Sequence, residues 1–283
     1  MLNARGESSQ QVLLRGFGEY NFFSGKFMNA KEYLRRIGID ESSLSASSEN
    51  LKLLQKRHLL RIPFENLDIH WRRPIVLDAE NFYRKIVEEK RGGFCYELNG
   101  LFYNLLREIG FQSRMISARV AAGENGFSAE YDHMAILTET EGEEYLGDVG
   151  FGSFSAEPLR FVLDLEQADA NGVFTIKKYD ENYFEVLKKD AGIWKSEYIF
   201  TTSGRDLSEF AAMCRFHQTS PESHFTRGKI CSLMTEKGRR TLTDKKFIET
   251  GNGERKELSI DSEEQFNEIL VREFQIKPVF GQM

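Results

Sequence analysis

Arg91-Gly-Gly-Phe-Cys95-Tyr-Glu-Leu-Asn-Gly100-Leu-Phe-Tyr-Asn-Leu-Leu-Arg-Glu-Ile-Gly110 is the most regular stretch of the 283-residue chain. Leu98, Leu101, Phe102, Leu105, Leu106 and Ile109 recur at i, i+3, i+4, i+7, i+8 and i+11, which makes one apolar face of an α-helix. Gly110 follows where a left-handed residue commonly ends a helix. Two glycines precede Cys95, so a loop should turn into a helix at or beside it. Beyond Gly110 the apolar period changes from 3.6 to 2. Helices before that break and strands after it make the expected class α+β.

The placement of Cys95 carries chemistry. The first turn of a helix has unpaired N–H groups and the positive end of the dipole, and both favour an anion. A thiolate is an anion, so the thiol pKa should fall and its nucleophilicity rise. Gly92 and Gly93 should leave backbone donors free for a developing oxyanion. A buried small hydrophobe is the plainer reading of a free cysteine.

A thiolate nucleophile needs a base, and the base needs an orienting group. His133 opens the apolar run His133-Met-Ala-Ile-Leu137, and Asp148 ends Glu144-Tyr-Leu-Gly-Asp148. The acidic stretch between them reads as a hairpin turn. A turn centred between Thr140 and Glu141 sets His133 directly opposite Asp148 on one sheet face. The carboxylate would then hold the imidazole tautomer and stabilise its cation. Taken alone, His133 could be a core histidine and Asp148 a cap. The joint register favours a triad in the order Cys, His, Asp, which is the papain order with Asp in place of Asn.

Outward from these residues the chain divides in four. Residues 1–27 are rich in Gly, Ser, Gln and Arg and show no period. Residues 28–110 read as helices: one capped by Asn29, one opened by Ser47, one opened by Asp78, and the stretch after Cys95. Pro63 should stop the second. Residues 111–205 read as strands at 114–120, 133–138, 144–149, 174–179 and 183–188. Residues 206–283 open with a helix at 206–217. Strands at 241–242, 246–249 and 256–260 follow, with a hairpin at Gly251-Asn-Gly253. A last helix opens at Ser262.

Composition narrows the function. The net charge is −6, hydrophobic residues make up 40% and charged residues 29%. That balance supplies no basic face for nucleic acid. Apolar runs fall far short of the ~18 residues that cross a membrane, and no secretory h-region follows Met1. Three cysteines do not make a disulfide scaffold, so a reducing compartment is expected. Cys214 and Cys231 read as core. No His, Cys or acidic spacing suits zinc, and there is no phosphate-binding glycine loop.

Five motifs then resemble one family, the arylamine N-acetyltransferases. They are Arg91-Gly-Gly-Phe-Cys95-Tyr-Glu, Ile62-Pro-Phe-Glu-Asn-Leu67, Asp132-His133-Met-Ala, Asp148-Val-Gly-Phe-Gly152 and Thr219-Ser-Pro-Glu-Ser223-His-Phe225. The resemblance runs from about Met28 to the C-terminus. It implies a cysteine-protease-like core with an N-terminal helical bundle (28–110), a central antiparallel β-barrel (111–205) and a C-terminal α/β lid (206–283). It implies a ping-pong transfer from acetyl-coenzyme A to arylamines, arylhydrazines and N-hydroxyarylamines through acetyl-Cys95, with His133 as proton shuttle and Asp148 as its orienter. Phe151 and Phe225 would line the acceptor pocket, with Ser153 a weaker candidate. Thr219, Ser220 and Ser223 would face coenzyme A. Arg91 and Glu65 would form a buried pair under the cysteine loop. No metal is implied. The resemblance further suggests a cytoplasmic enzyme of xenobiotic metabolism, monomeric or weakly self-associating. A thiol hydrolase or transglutaminase-like amide transferase with the same three residues is the alternative.

Overall fold

Apolar faces at helical spacing gather into a first layer. The structure is a computed structural model that describes residues 28–40, 44–123, 126–152 and 154–279; the stretch 1–27 and Ser153 lie outside the described residues. Helix α1 (Ala30–Arg36) starts where the Asn29 side chain accepts from the Lys31 N–H, and α2 (Ser48–Arg61) where Ser47 accepts from the Asn50 N–H. Helix α2 stops before Pro63, and the short strand β1 (Phe64–Glu65) and α3 (Leu67–His70) follow. Asp78 caps α4 (Ala79–Tyr83), which runs on into a π-helical turn, Arg84–Glu88. Helix α5 (Cys95–Ile109) begins at Cys95 and ends at Gly110, whose φ is 108°. Leu98, Leu101, Phe102, Leu105 and Leu106 on its apolar face are buried against Leu54, Phe82 and Ile86.

Period-2 segments build the second layer. Its strands are β2 (Gln112–Ala122), β3 (Gly126–Phe127), β4 (His133–Thr140), β5 (Glu143–Gly147), β6 (Leu159–Arg160), β7 (Gln167–Asp169), β8 (Gly172–Lys178), β9 (Phe184–Asp190) and β10 (Ile193–Phe200). They form one antiparallel sheet in the order β6-β5-β4-β2-β10-β9-β8-β7, with β3 on β2. The two edges approach each other: the Gln167 amide on β7 bonds the Arg160 backbone N–H and carbonyl on β6 at 2.8 and 3.0 Å. The sheet thus curls into a nearly closed barrel filled by Ile116, Leu137, Phe154, Phe174, Tyr198 and Phe200. Helices packed on an antiparallel sheet are the α+β class that the change of period predicted.

The third layer comprises α6 (Ala211–Thr219), β11 (Ile230–Thr235), β12 (Gly238–Thr243), β13 (Lys246–Gly251), β14 (Glu254–Ser259) and α7 (Glu263–Phe274). Its sheet runs β1-β11-β12-β13-β14, so a strand from the helical half is its edge. Phe64 faces Ser232 and Glu65 faces Cys231. That pairing brings the C-terminal sheet beside the cysteine loop, and α7 covers the sheet with Phe266, Ile269 and Leu270.

The β4–β5 register differs from the expected one. Thr140 pairs with Glu143 and Ile136 with Gly147, so the turn is Glu141-Gly142, with φ of 54° and 77°. Two positive φ values make the two-residue turn whose twist suits a hairpin. The turn therefore centres one residue later than the acidic stretch suggested. His133 and Asp148 are not directly opposite. The shift is two residues in partner number, however, so both stay on the same face as diagonal neighbours.

Candidate active site

The loop before Cys95 is pinned to β1. Gly93 accepts from the Glu65 N–H at 2.8 Å and donates its own N–H to Pro63 O at 3.3 Å. A Cβ on Gly92 would lie 2.0 Å from Pro63 O, so only glycine permits this approach. The Phe94 N–H donates to Glu97 Oε2 at 3.1 Å. The expectation of a free glycine donor therefore fails at Gly93, whose N–H is spent in holding the loop. Among the described residues, the N–H groups of Cys95 and Tyr96 in the first turn of α5 have no acceptor. They are the donors left for an oxyanion.

Cys95 is 3% exposed. Burial pushes its thiol up, the Asp132 and Asp148 carboxylates push it further, and a bond to the Met134 backbone opposes them. This overturns the expected lowering. A helix terminus contributes about 0.3–2 kcal/mol, whereas full burial can shift a pKa by up to ~3–5 units. The closed pocket thus works against the thiolate that the helix terminus favours.

The candidate base stands next to Met134, whose backbone bonds Cys95. His133 Nε2 lies 2.6 Å from Asp148 Oδ2, and both side chains are buried. Asp148 Oδ1 accepts from Asn99 Nδ2 at 2.9 Å and from the Gly150 N–H at 2.8 Å. With Nε2 held by the carboxylate, Nδ1 is the ring atom left to serve the thiol. Gly150 lies against the cysteine itself, since a Cβ there would come 2.7 Å from Cys95 Cα. The Phe151 ring meets the His133 ring edge to face at 5.2 Å, and Tyr198 lies 5.4 Å from it.

Two residues of this frame escaped the sequence reading. Asn99 sits one turn after Cys95 on α5 and bonds Met134 O, Asp148 Oδ1 and the Val149 N–H at 2.6, 2.9 and 2.9 Å. One amide thus ties the helix of the nucleophile to the strand of the base and the loop of the carboxylate. Gln55 on α2 accepts from the Asp148 N–H at 3.1 Å and donates to Ser155 O at 3.1 Å. A polar residue inside an apolar helix face was the available signal, because buried amides need partners.

Beneath the loop the expected Arg91–Glu65 pair belongs to a larger cluster. Arg91 bonds Glu65 Oε1 and Asp68 Oδ1, each at 2.6 Å. Lys85, from the π-helical turn, lies 2.9 Å from both Asp68 and Glu97. Burial alone would lower the Lys85 pKa, but Glu65, Glu97 and Asp68 together raise it. Burial raises Glu97 to about 7 against the pull of Lys85.

The 219–225 segment is bound to the same centre. Ser223 Oγ lies 3.1 Å from His217 Nδ1, and His217 Nε2 lies 3.1 Å from Asp132 Oδ1. A second His–Asp pair therefore joins α6 to the residue before His133. Asn66 Nδ2 donates to Phe225 O and Gly228 O, each at 2.9 Å. The Phe225 ring packs against Phe94, next to Cys95, at 6.1 Å. Thr219 and Ser220 are turned to their own surroundings instead: Thr219 Oγ1 donates to Arg215 O, and Ser220 Oγ accepts from the Glu222 N–H. Cys214 and Cys231 are buried with thiols raised by burial, Cys214 to about 12.

Among the described residues no group of three His, Cys, Asp or Glu could hold a metal ion, and no helix is long and apolar enough to cross a membrane. A buried thiol at a helix N-terminus, a His–Asp pair and first-turn N–H donors make up the equipment of an acyl-transfer centre. The family model described as N-acetyltransferase matches residues 47–279. Arylamine N-acetyltransferase pineal gland isozyme NAT-10 of Gallus gallus is 32% identical over 276 residues, which cover 88% of this chain and 94% of that protein. Arylamine N-acetyltransferase from Mycobacterium smegmatis superposes with a TM-score of 0.82 at 29% identity, covering 88% and 93% of the two chains. The Mycobacterium marinum enzyme, solved in complex with CoA, superposes with a TM-score of 0.80 at 27% identity and covers 88% and 93%. The fold and site thus define an acyltransferase. The chain belongs to the arylamine N-acetyltransferase family.

Proposed function

We propose that this enzyme moves an acetyl group from acetyl-coenzyme A to the nitrogen of an arylamine or arylhydrazine, and to the oxygen of N-hydroxyarylamines, through acetyl-Cys95. The carrying observation is the His133–Asp148 pair at 2.6 Å beside a thiol in the first turn of α5. Coenzyme A as donor is supported by the CoA complex of the M. marinum relative.

In the first half-reaction Cys95 Sγ attacks the thioester carbonyl carbon while its proton passes to His133 Nδ1. The N–H groups of Cys95 and Tyr96 hold the tetrahedral oxyanion. The carbon–sulfur bond to coenzyme A breaks, and the leaving sulfur takes the proton from His133. In the second half-reaction the amine nitrogen attacks the acetyl carbon and gives a proton to His133. Cys95 Sγ leaves and recovers that proton. Asp148 stabilises the imidazolium in both halves. Burial and the nearby carboxylates push the Cys95 thiol up, which is the setting in which a positioned general base such as His133 helps the attack. Phe151 and Phe225 offer aromatic faces to an aryl acceptor. Thr219, Ser220 and Ser223 are assigned to coenzyme A by the family resemblance alone, since their hydroxyls are bonded within their own segment.

Initial rates with both substrates varied test this reading. Parallel double-reciprocal lines are expected, because coenzyme A leaves before the amine reacts. Intersecting lines, or amide hydrolysis with no need for an amine, would oppose it and favour the hydrolase alternative.

A further inference from the structure

His217 stands outside the Cys–His–Asp set, yet it meets a chain neighbour of each part of the site. It lies on α6 and is 2% exposed. Its Nε2 is 3.1 Å from Oδ1 of Asp132, the residue before His133. Its ring lies 6.2 Å from that of Tyr96, the residue after Cys95. Its Nδ1 is 3.1 Å from Ser223 Oγ, and the Phe225 ring meets it edge to face at 5.1 Å.

The bonds run in one direction. A carboxylate only accepts, so Nε2 donates to Asp132. Nδ1 then accepts from the Ser223 hydroxyl, and Ser223 Oγ accepts from the Phe225 N–H at 3.2 Å. Each end of this chain holds something the reaction needs. Tyr131, before Asp132, has a φ of 66°, which a bulky residue keeps only under constraint. Tyr96 Oη donates to the carbonyls of Tyr131 and Asp132 at 2.7 and 3.1 Å. The bond from His217 fixes the Asp132 side chain as well, just where β4 begins with His133. At the other end Ser223 opens the turn His224–Thr226 that carries Phe225, whose ring lies 6.1 Å from Phe94.

Resting on the acetyl-transfer reading, we propose that His217 is a positioning residue with two separable arms. The Nε2 arm sets the base through Asp132, and the Nδ1 arm sets the aromatic wall of the acceptor through Ser223 and Phe225.

The two half-reactions read the arms apart. Acetylation of Cys95 by acetyl-coenzyme A needs the base alone, whereas deacetylation by an arylamine needs the base and the acceptor wall. An amide can replace one ring nitrogen at a time: H217Q keeps a donor toward Asp132, and H217N keeps a partner for Ser223. Rapid-quench intact mass gives the second-order rate of each step, with 4-methylaniline as acceptor. H217N should slow both steps about tenfold or more, the scale on which small misplacements act. H217Q should slow deacetylation about tenfold and acetylation far less. Asp132→Ala spares the buried ring and should slow both steps as H217N does; it carries the test if the His217 variants do not fold, and wild-type rates in it overturn the proposal. Equal slowing of both steps in H217N and H217Q alike would reduce His217 to core packing and overturn it too. So would wild-type rates in both, or the reverse division. A wild type whose Cys95 is never acetylated defeats the transfer reading itself, whereas an acetylated wild type with undivided variants defeats only the role of His217.

Discussion

At Cys95 two local effects oppose each other, and their magnitudes decide the resting state. The helix terminus favours the thiolate, but burial and the Asp132 and Asp148 carboxylates favour the thiol. Position on the helix could be read from the sequence; burial depth and a second carboxylate could not, because both come from distant segments. Replacing His133 by Gln should therefore slow iodoacetamide alkylation of Cys95 at neutral pH. The rate should recover only well into the alkaline range, since the folded thiol pKa is raised. Fast neutral alkylation in that variant would show that the thiolate stands without a base. Asp148→Asn should lower kcat/KM by about three to four orders of magnitude, the scale expected when a histidine loses its orienting carboxylate. Near-normal kcat/KM with an unchanged melting temperature would contradict the role given to the pair.

At the scale of elements, the long helix and the alternating strands were legible, and the seams between them were not. The α5 face was plain because six apolar residues repeat on one side. Strand β10 was missed because its alternation is broken by a bulge between Ser196 and Tyr198 and by the adjacent buried pair Ile199-Phe200. The β4–β5 register was set by turn chemistry at Glu141-Gly142 rather than by the centre of the acidic stretch. Same-face pairing survived because the error was even in parity. The loop after β5 presses Gly150 onto Cys95, and that seam makes a further prediction. Gly150→Ala should cost about 1–3 kcal/mol of stability and lower activity further by displacing Asp148. Thermal unfolding and kcat measured together check it; an active variant of wild-type stability would mean the loop is not held against the cysteine.

Across the whole molecule, the helical layer and the C-terminal sheet meet at one buried ionic cluster. Glu65 comes from β1, Asp68 from α3, Lys85 from the π-helical turn, Arg91 from the cysteine loop and Glu97 from α5. Only one pair of this set was legible, since the rest depends on α4 unwinding to aim Lys85 inward. Burial raises Glu97 to about 7 from its ordinary 4.5. The native state then keeps a proton that the unfolded chain releases. Its contribution to stability is full below about pH 4.5 and is lost as pH rises through about 7. Glu97→Gln should flatten the fall in unfolding free energy between pH 5 and 8, measured by urea titration. An identical slope in the variant would remove Glu97 from that role. The C-terminal sheet joins this cluster through the pairing of β1 with β11.

The central claim is that Cys95 carries the acetyl group. Intact-mass analysis with peptide mapping, after brief mixing with acetyl-coenzyme A alone, reads it directly. One acetyl group should appear on the Cys95 peptide, disappear when an arylamine is added and never form in Cys95→Ala. An unmodified Cys95 while the arylamine is still being acetylated would contradict the account.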